Sequence, residues 1–572
     1  MQNQKIENAL NLALGATREE LERSETLAVG YDAEEKTWEV IVKHSKPLEE
    51  LSRLGVEQVE LLNQYSILTV PESMLDAVAR LPQVEYIEKP KRLYFAVNQA
   101  KAASCITYVQ VEGSPYAPYI TGRGCLVAVI DSGIDYYHDD FREEDGSTRI
   151  LELWDQTLGK IFTREEINEA LRQGSRQQAR KIVPSTDLSG HGTAVAGIAA
   201  GNGRESGGLY RGVAYESELL VVKLGVADPL GFPRTTELMT ALDYVVRRAA
   251  DLGRPVAVNI SIGNTYGSHD GTSLLETYID GISNYGRNVI VIGSGNEARA
   301  GGHISGVLTE GESVNIQLSI SPYETGITIQ LWKYFVDDFT ITLVTPSGSI
   351  LGPLPPVIGP QTYDYESTRI LLYYGEPSPY SKAQEIYFDF IPLYQDYLQS
   401  GIWVFRLMPK RVVQGNYDFW LPSSAVLNQS TYFLSSTPDT TLTIPSTAAM
   451  AVTVGAYNSN YQTYADFSGR GFTRVTNQVK PDLAAPGVGI MAPKSGGGYE
   501  AVTGTSFAAP FVTGSGALLM QWGIAEGRDE FLYGEKLKAY LIRGARQLPG
   551  YETWPNPQMG WGALCLRDSL PV

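Results

Sequence analysis

The sequence predicts an α/β protein: a parallel sheet with helices on both faces, preceded by a small N-terminal unit and interrupted by an inserted β-sandwich. Three observations carry this expectation. Between Cys125 and Ile292 short apolar runs alternate with helical stretches, as strands buried on both faces do. From about Gly301 the hydrophobic period falls to two and helices almost vanish. Ahead of residue 90 the order is strand, helix, strand, strand, helix, strand, that of a split βαβ unit.

In the N-terminal unit, Thr37 to Val42 (TWEVIV) reads as a strand and Pro47 to Arg53 as a short helix. Val56 to Leu61 and Ser66 to Val70 read as two more strands. Pro71 opens a helix to Leu81, since proline is tolerated at the first helical position, and Val84 to Ile87 is extended again. The apolar runs of the α/β part are Cys125 to Ile130, Leu219 to Lys223, Val256 to Ile260 and Asn288 to Ile292. Between them lie a Gly-rich helix start at Gly190 and helices over Thr236 to Ala250 and about Ser273 to Asn284. Functional residues of such sheets gather at the carboxyl ends of the strands. Eight strand-like runs follow: Val314 to Ile320, Ile327 to Trp332, Phe339 to Val344, Ile370 to Tyr374, Ile386 to Phe390, Ile402 to Leu407, Tyr417 to Leu421 and Tyr432 to Leu434. Gly, Pro and Ser fill the turns, as in GPLPPVIGP, which suits a jelly roll. After Pro445 the α/β character resumes.

A length of 572 residues suggests three or four folding units, at roughly 150 residues per domain. The hydrophobic share of 43% and charged share of 19% supply a core and exclude a disordered scaffold. The net charge of −18 repels phosphate backbones and anionic lipid, so nucleic acid and membrane surfaces are poor partners. Cys105, Cys125 and Cys565 are too few and scattered for a disulfide framework and read as buried thiols. Glu7, Arg18, Glu19, Glu20, Glu22 and Arg23 exclude a secretory signal peptide from the first thirty residues, and no run approaches the roughly 20 apolar residues of a membrane span. The expectation is a soluble chain with no export address.

Asp131 ends the run LVAVI and opens Asp-Ser-Gly-Ile-Asp; His191 lies in Ser-Gly-His-Gly-Thr-Ala-Val-Ala-Gly; Ser506 lies in Thr-Gly-Thr-Ser-Phe-Ala-Ala-Pro. Alone, each has a bland reading, such as a turn residue or a helix N-cap. Together they make a nucleophile, the base that activates it and the carboxylate that orients the base. These segments resemble the three active-site motifs of the subtilisin-like serine proteases, whose chain order is Asp, His, Ser. Here 60 residues separate Asp131 from His191 and 315 separate His191 from Ser506, against roughly 32 and 157 in subtilisin. The polar helical stretch Thr163 to Lys181 lengthens the first gap, and the β insert accounts for most of the second.

The resemblance implies a subtilisin-like fold and a serine endopeptidase with a protein or peptide substrate. Ser506 is then the nucleophile, His191 the base, Asp131 its orienting carboxylate, and Asn296 in Gly-Ser-Gly-Asn-Glu the oxyanion donor beside the Ser506 amide. Substrate would pair as a strand with Leu224-Gly225 on one side and Ser261-Ile262-Gly263 on the other. Gly293 and Gly295 would line the pocket for the residue before the cut. The N-terminal unit resembles the family's inhibitory, ferredoxin-like propeptide, with cleavage in Ala96-Val-Asn-Gln-Ala-Lys after Gln99 or Asn98 and ahead of the first helix of the mature chain. The limits are then 1–99 for the propeptide, 100–300 with 436–572 for the catalytic domain, and 301–435 for the insert.

The insert, and Ala194 in His-Gly-Thr-Ala where secreted subtilisins usually carry a second His, resemble the Csp germination proteases of clostridia. That branch implies a propeptide that stays bound after cleavage, a spore-cortex hydrolase zymogen as substrate, and a cytoplasmic or spore-associated location. No cofactor is required by such chemistry; calcium is a candidate, with Asp140 resembling one ligand of a family site. His44, His138, His269 and His303 show no metal spacing and read as surface or packing residues. The rival reading is a pseudoprotease that binds a partner without turnover.

Overall fold

The computed structural model describes residues 5–18, 21, 28, 30–49, 51–90, 96–110, 120–225 and 232–571, with backbone alone at 8, 9, 52, 53, 62 and 96–99. The chain forms two compact units, Met1–Tyr94 and Phe95–Val572.

In the first unit the strand Thr37–His44 turns Trp38, Val40, Val42 and His44 inward, because successive side chains of a strand face opposite ways. It pairs antiparallel with Tyr65–Pro71 on one side and with Val84–Glu88 and the short Tyr31–Asp32 on the other; Glu57–Leu61 pairs with Tyr65–Pro71. The four main strands, numbered along the chain, thus lie in the order 4-1-3-2. The helix Leu75–Ala79 buries Leu75, Val78 and Ala79 in the same core. The expected helix over Pro47 to Arg53 is only the 3-10 turn Leu51–Leu54, after which Gly55 reverses the chain with φ +67°. His44 is buried, with one ring nitrogen on Ser66 Oγ and the other on Lys46 O, both at 3.0 Å.

The second unit is built on a sheet whose parallel core runs Val452–Asn458, Asn288–Gly293, Val256–Ile260, Leu126–Asp131, Glu218–Lys223 and Ile150–Asp155, with Thr463–Tyr464 and Lys160–Thr163 antiparallel at its edges. Leu126–Asp131 lies mid-sheet with every residue buried. Val127 and Val129 pack with the helices His191–Ala200 and Thr505–Met520, while Leu126, Ala128 and Ile130 pack with Thr235–Asp251 and Leu274–Ile282. Helices therefore cover both faces, the reason these strands read as unbroken apolar runs.

The insert holds two antiparallel sheets around one core that contains Phe388, Phe390, Trp403, Phe405, Phe419 and Phe433. One sheet runs His303–Val307, Asn416–Trp420, Ile327–Tyr334, Ala383–Pro392, Thr368–Tyr374 and Gly359–Tyr365. The other runs Ile350–Leu354, Asp338–Val344, Gly401–Arg411, Val314–Ile320 and Tyr432–Phe433. All eight expected strands are present. The three that sequence reading missed, His303–Val307, Ile350–Leu354 and Gly359–Tyr365, all lie at sheet edges, where Gly and Pro are admitted.

The insert is fixed to the loops that carry His269 and Arg474: Trp420 stacks on His269 as well as on His303 of the insert, and Asp418 accepts from Arg474 Nε at 2.6 Å and meets His303 Nε2 at 3.2 Å. His138, His269 and His303 are buried, so these histidines are packing residues and not surface ones. Two cysteines also depart from expectation. Cys105 and Cys565, 460 positions apart, form a disulfide, and only Cys125 remains a buried free thiol. The fold brings their Cα atoms to 4.8 Å, a proximity that spacing along the chain does not encode. No helix among the described residues is long and apolar enough to cross a membrane.

Candidate active site

Because the core strands are parallel, their carboxyl ends bring Asp131, Leu224, Ser261 and the Gly293-to-Asn296 turn to one edge of the sheet. Asp131 is buried, and its Oδ1 accepts from His191 Nδ1 and from Ser132 N, both at 2.7 Å. Since a carboxylate only accepts, Nδ1 carries the proton and Nε2 is left as the basic nitrogen. Burial would lower the pKa of His191, but the charge and hydrogen bond of Asp131, helped by Asp187, outweigh it and hold the imidazole above its ordinary value.

His191 opens its helix behind Gly190, whose φ of +77° is left-handed. Gly192 allows the two segments to meet: a Cβ there would lie 2.2 Å from Gly133 O and 3.2 Å from the Asp131 Cβ. Sequence reasoning missed the brace behind them. Asp187 Oδ1 accepts from Ser132 Oγ at 2.8 Å, Ser189 Oγ at 3.2 Å and Gly190 N at 2.9 Å, and Oδ2 accepts from Thr193 N at 2.8 Å and Thr193 Oγ1 at 2.7 Å. Ser132 Oγ in turn accepts from Gly192 N at 3.0 Å. An acidic residue just ahead of a helix start was the available signal.

Ser506 is the second residue of the helix Thr505–Met520. The Phe507 ring lies 5.3 Å from the His191 ring, so the serine and histidine segments adjoin. The Ser506 hydroxyl donates to Ser261 O at 3.1 Å, and Ser261 Oγ donates to Ser506 O at 3.0 Å. No hydrogen bond joins Ser506 to His191 in this rotamer, and rotation about one bond swings the hydroxyl away from Ser261. Catalytic hydrogen bonds commonly tighten only when substrate is present. Asn296 is oriented by Thr505, whose N–H and hydroxyl both donate to Asn296 Oδ1 at 3.1 Å. The backbone donor settles the amide orientation, leaving Asn296 Nδ2 as an outward-facing donor beside Gly504. Thr505 was invisible as a positioning residue because its partner lies 209 positions away.

The substrate-binding expectations fare unevenly. Leu224 is buried and its N–H donates to Asp131 O at 2.9 Å, while Gly225 N–H donates to Gln156 Oε1 at 2.8 Å. These amides are spent inside the protein, so Leu224-Gly225 is not the free strand edge expected; residues 226–231 lie outside those described. Ser261 faces the site through Ser506, Ile262 is half-buried, and Gly263 precedes Asn264, which pairs with Ile444. Gly293 abuts Thr505, and a Cβ there would lie 3.2 Å from Thr505 O. The space between Gly263 and Gly295 holds Thr443: its Oγ1 would be 2.7 Å from a Cβ on Gly263, and its Cγ2 2.4 Å from one on Gly295.

Asn98 and Gln99 fall inside the helix Ala96–Ala103, in the second unit, rather than in a linker ahead of it. Alanine, glutamine and lysine favour helix, which explains the earlier start. Asp140 does not fit calcium. Its carboxylate accepts from Tyr499 Oη at 2.7 and 2.9 Å and from Glu205 N at 3.1 Å, and burial raises its pKa. Among the described residues no group of three or more His, Cys, Asp or Glu side chains could hold a metal ion.

Residues 122–326 and 414–562 match the model of the subtilase family. The chain belongs to the subtilase family. Residues 4–91 of this subtilase match the Csp protease B prodomain, so the N-terminal unit is a prodomain. The family match breaks between 326 and 414, inside the two-sheet insert. The solved structure of the Clostridium perfringens CspB protease is similar at 36% identity and a TM-score of 0.77, over 82% of this chain and 96% of that one. The minor extracellular protease Vpr of Bacillus subtilis (strain 168) is 23% identical over 486 residues, 79% of this chain and 53% of that protein. The PIII-type proteinase of Lactococcus lactis subsp. cremoris (strain SK11) is 25% identical over 516 residues, 81% of this chain and 25% of that protein. The subtilase thus spans about half or less of the length of these curated relatives.

Proposed function

We propose that this subtilase is a serine endopeptidase that cuts its own prodomain junction and then performs limited proteolysis of a protein substrate. The observation that carries this reading is the 2.7 Å bond between buried Asp131 and His191 Nδ1, which leaves Nε2 basic beside the Ser506 helix. Ser506 Oγ attacks the peptide carbonyl and gives its proton to His191, whose imidazolium is stabilised by Asp131. Asn296 Nδ2 and the Ser506 N–H receive the oxyanion; His191 then protonates the leaving amine, and water resolves the acyl-enzyme by the same steps. Thr443, packed against Gly263 and Gly295, favours a short side chain on the residue before the cut.

The proposed self-processing position is after Asn98 or Gln99, and it requires the first turn of Ala96–Ala103 to open into the extended form a protease grips. The released prodomain stays bound, and the substrate is a spore-cortex hydrolase zymogen; both rest on resemblance to the Csp proteases. We read the insert as a jelly roll. Eight of its strands support this: His303–Val307, Asn416–Trp420, Ile327–Tyr334 and Ala383–Pro392 adjoin in one sheet and Val314–Ile320, Gly401–Arg411, Asp338–Val344 and Ile350–Leu354 in the other, which counted along the chain is 1-8-3-6 and 2-7-4-5, as two Greek keys give. A fluorophosphonate probe tests the enzyme reading: labelling at Ser506, abolished in Ser506→Ala together with prodomain cleavage, is the expected result. An unlabelled, uncut wild-type chain favours a pseudoprotease, a reading to which the Ser506-to-Ser261 hydrogen bond gives some ground.

A further inference from the structure

Beside Asn296 lies a cleft of about 570 Å³ that none of the expected substrate-binding residues lines. Asn296, Gly504 and Phe467 form its catalytic wall, and Leu427, Asn428 and Gln429 of the insert face them. Its position identifies what enters it. Ser261, Gly263, Gly293 and Gly295, the side expected to hold the residues before the cut, lie outside it. Its Gly504 end abuts Phe507, whose ring meets His191, the group that protonates the leaving amine.

We propose, resting on the peptidase reading above, that the insert turn 422–431 forms the wall of the leaving-group side of the site and selects a neutral, hydrogen-bonding side chain just after the cut. The turn is held at both ends by carboxylates. Glu297, next to Asn296, accepts from Ser423 Oγ at 2.7 Å and Ser424 N at 3.1 Å; buried Glu324 accepts from Asn428 N at 2.8 Å and Thr431 Oγ1 at 2.6 Å. A wall fixed in this way needs no ordering when substrate arrives. The two charges that line the cleft each have a protein partner: Glu297 accepts from Ser423, and Arg299 Nη1 meets Asp466 at 2.9 Å on the surface. The side chains of Asn428 and Gln429 are exposed and make no hydrogen bond to the described residues, which leaves amide donors and acceptors in a cleft whose apolar lining includes Leu427 and Phe467. A glutamine, asparagine or threonine matches that lining.

Acyl transfer isolates this side of the site. A peptide ester acylates Ser506; an added dipeptide amide then competes with water, its amine attacking the ester carbon as the bond to Ser506 Oγ breaks and the amine proton returns to that oxygen through His191. The ratio of transfer to hydrolysis reads only the leaving-group side and does not depend on how much enzyme is folded. We expect Gln-Ala-amide to exceed Gly-Ala-amide and Glu-Ala-amide about fivefold, as one hydrogen bond between neutral groups provides. Asn428→Ala with Gln429→Ala should level the three, and Gln429→Glu should move the preference to Lys-Ala-amide. A wild-type ratio indifferent to the nucleophile, or a preference that survives both variants, overturns the proposal. An ester that is never hydrolysed overturns the peptidase reading first, and this proposal with it.

Discussion

Around the catalytic residues the chain packs through its smallest side chains, whereas the insert packs through its largest. A Cβ on Gly192 would sit 2.2 Å from Gly133 O, one on Gly469 2.2 Å from Ser294 O, and one on Gly514 2.5 Å from the Val213 Cβ. In the insert, Phe388 meets Phe405 with ring centroids 5.2 Å apart, Phe390 meets Trp403 at 5.0 Å, and Phe405 meets Phe419 at 5.4 Å. Backbones in direct contact fix the position of Asp131, His191 and Asn296 through short covalent paths. Aromatic rings fill volume and hold two sheets together, but they aim nothing. Changes in the first region should therefore be read in rate, and changes in the second in stability.

The largest expected effect is Asp131→Asn. An amide no longer enforces the Nδ1–H tautomer of His191, so kcat should fall about 10⁴-fold, the size found when this group is neutralised in serine proteases; single-turnover ester hydrolysis measures it. A fall of less than tenfold would break the comparison on its catalytic side. Next comes Phe405→Ala, expected to cost about 3–5 kcal/mol in denaturant unfolding, while active-site titration shows the rate per folded molecule retained. A loss of rate without a loss of stability would show that the insert directs chemistry through its core. Asn296→Ala removes the Nδ2 donor and should lower kcat by roughly 10²–10³, with KM little changed, and so tests whether that group receives the oxyanion.

The smallest effect is in pH. His191 has its pKa raised by Asp131, so its neutral, basic form is lost as pH falls through a value above the ordinary imidazole range. The acid limb of kcat/KM for the ester should therefore lie above about 6.5, the unperturbed value, and Glu385, half-buried in the insert, should leave no mark on it. Burial pushes that carboxyl up to about 7; it binds its proton more tightly folded than unfolded, so its contribution to stability is lost as pH rises through that value. A pH titration of unfolding should show this loss in the insert while the rate profile does not.

What could be read in the sequence follows the same division. Asp131, His191 and Ser506 were legible because each sits where a strand or loop meets Gly-rich turns, and the three contexts reinforce one another. Asn296 was legible from its Gly-Ser-Gly neighbourhood. Thr505, Asp187 and Thr443 were not, because each acts on a partner brought near only by folding: Thr505 on Asn296, Asp187 on Ser132, and Thr443 against Gly263 and Gly295. Leu224-Gly225 misled because a strand end looks the same whether its amides face solvent or, as here, Asp131 O and Gln156. The central strands of the insert announced themselves by alternation of large apolar and polar residues; its three missed edge strands carry Gly or Pro, so they gave little such signal.

The bond between Cys105 and Cys565 bears on what a cut near Gln99 leaves behind. The fresh amino terminus would begin only a few residues before Cys105, so the opening helix of the processed chain is stapled to its closing one while the cut segment is held by no covalent bond. By the chain-entropy account a ring this large restrains the unfolded chain by roughly 4–5 kcal/mol or more. Both half-cystines are buried, so an outside thiol reaches the bond only when the chain opens, and loss of the staple follows unfolding and not turnover.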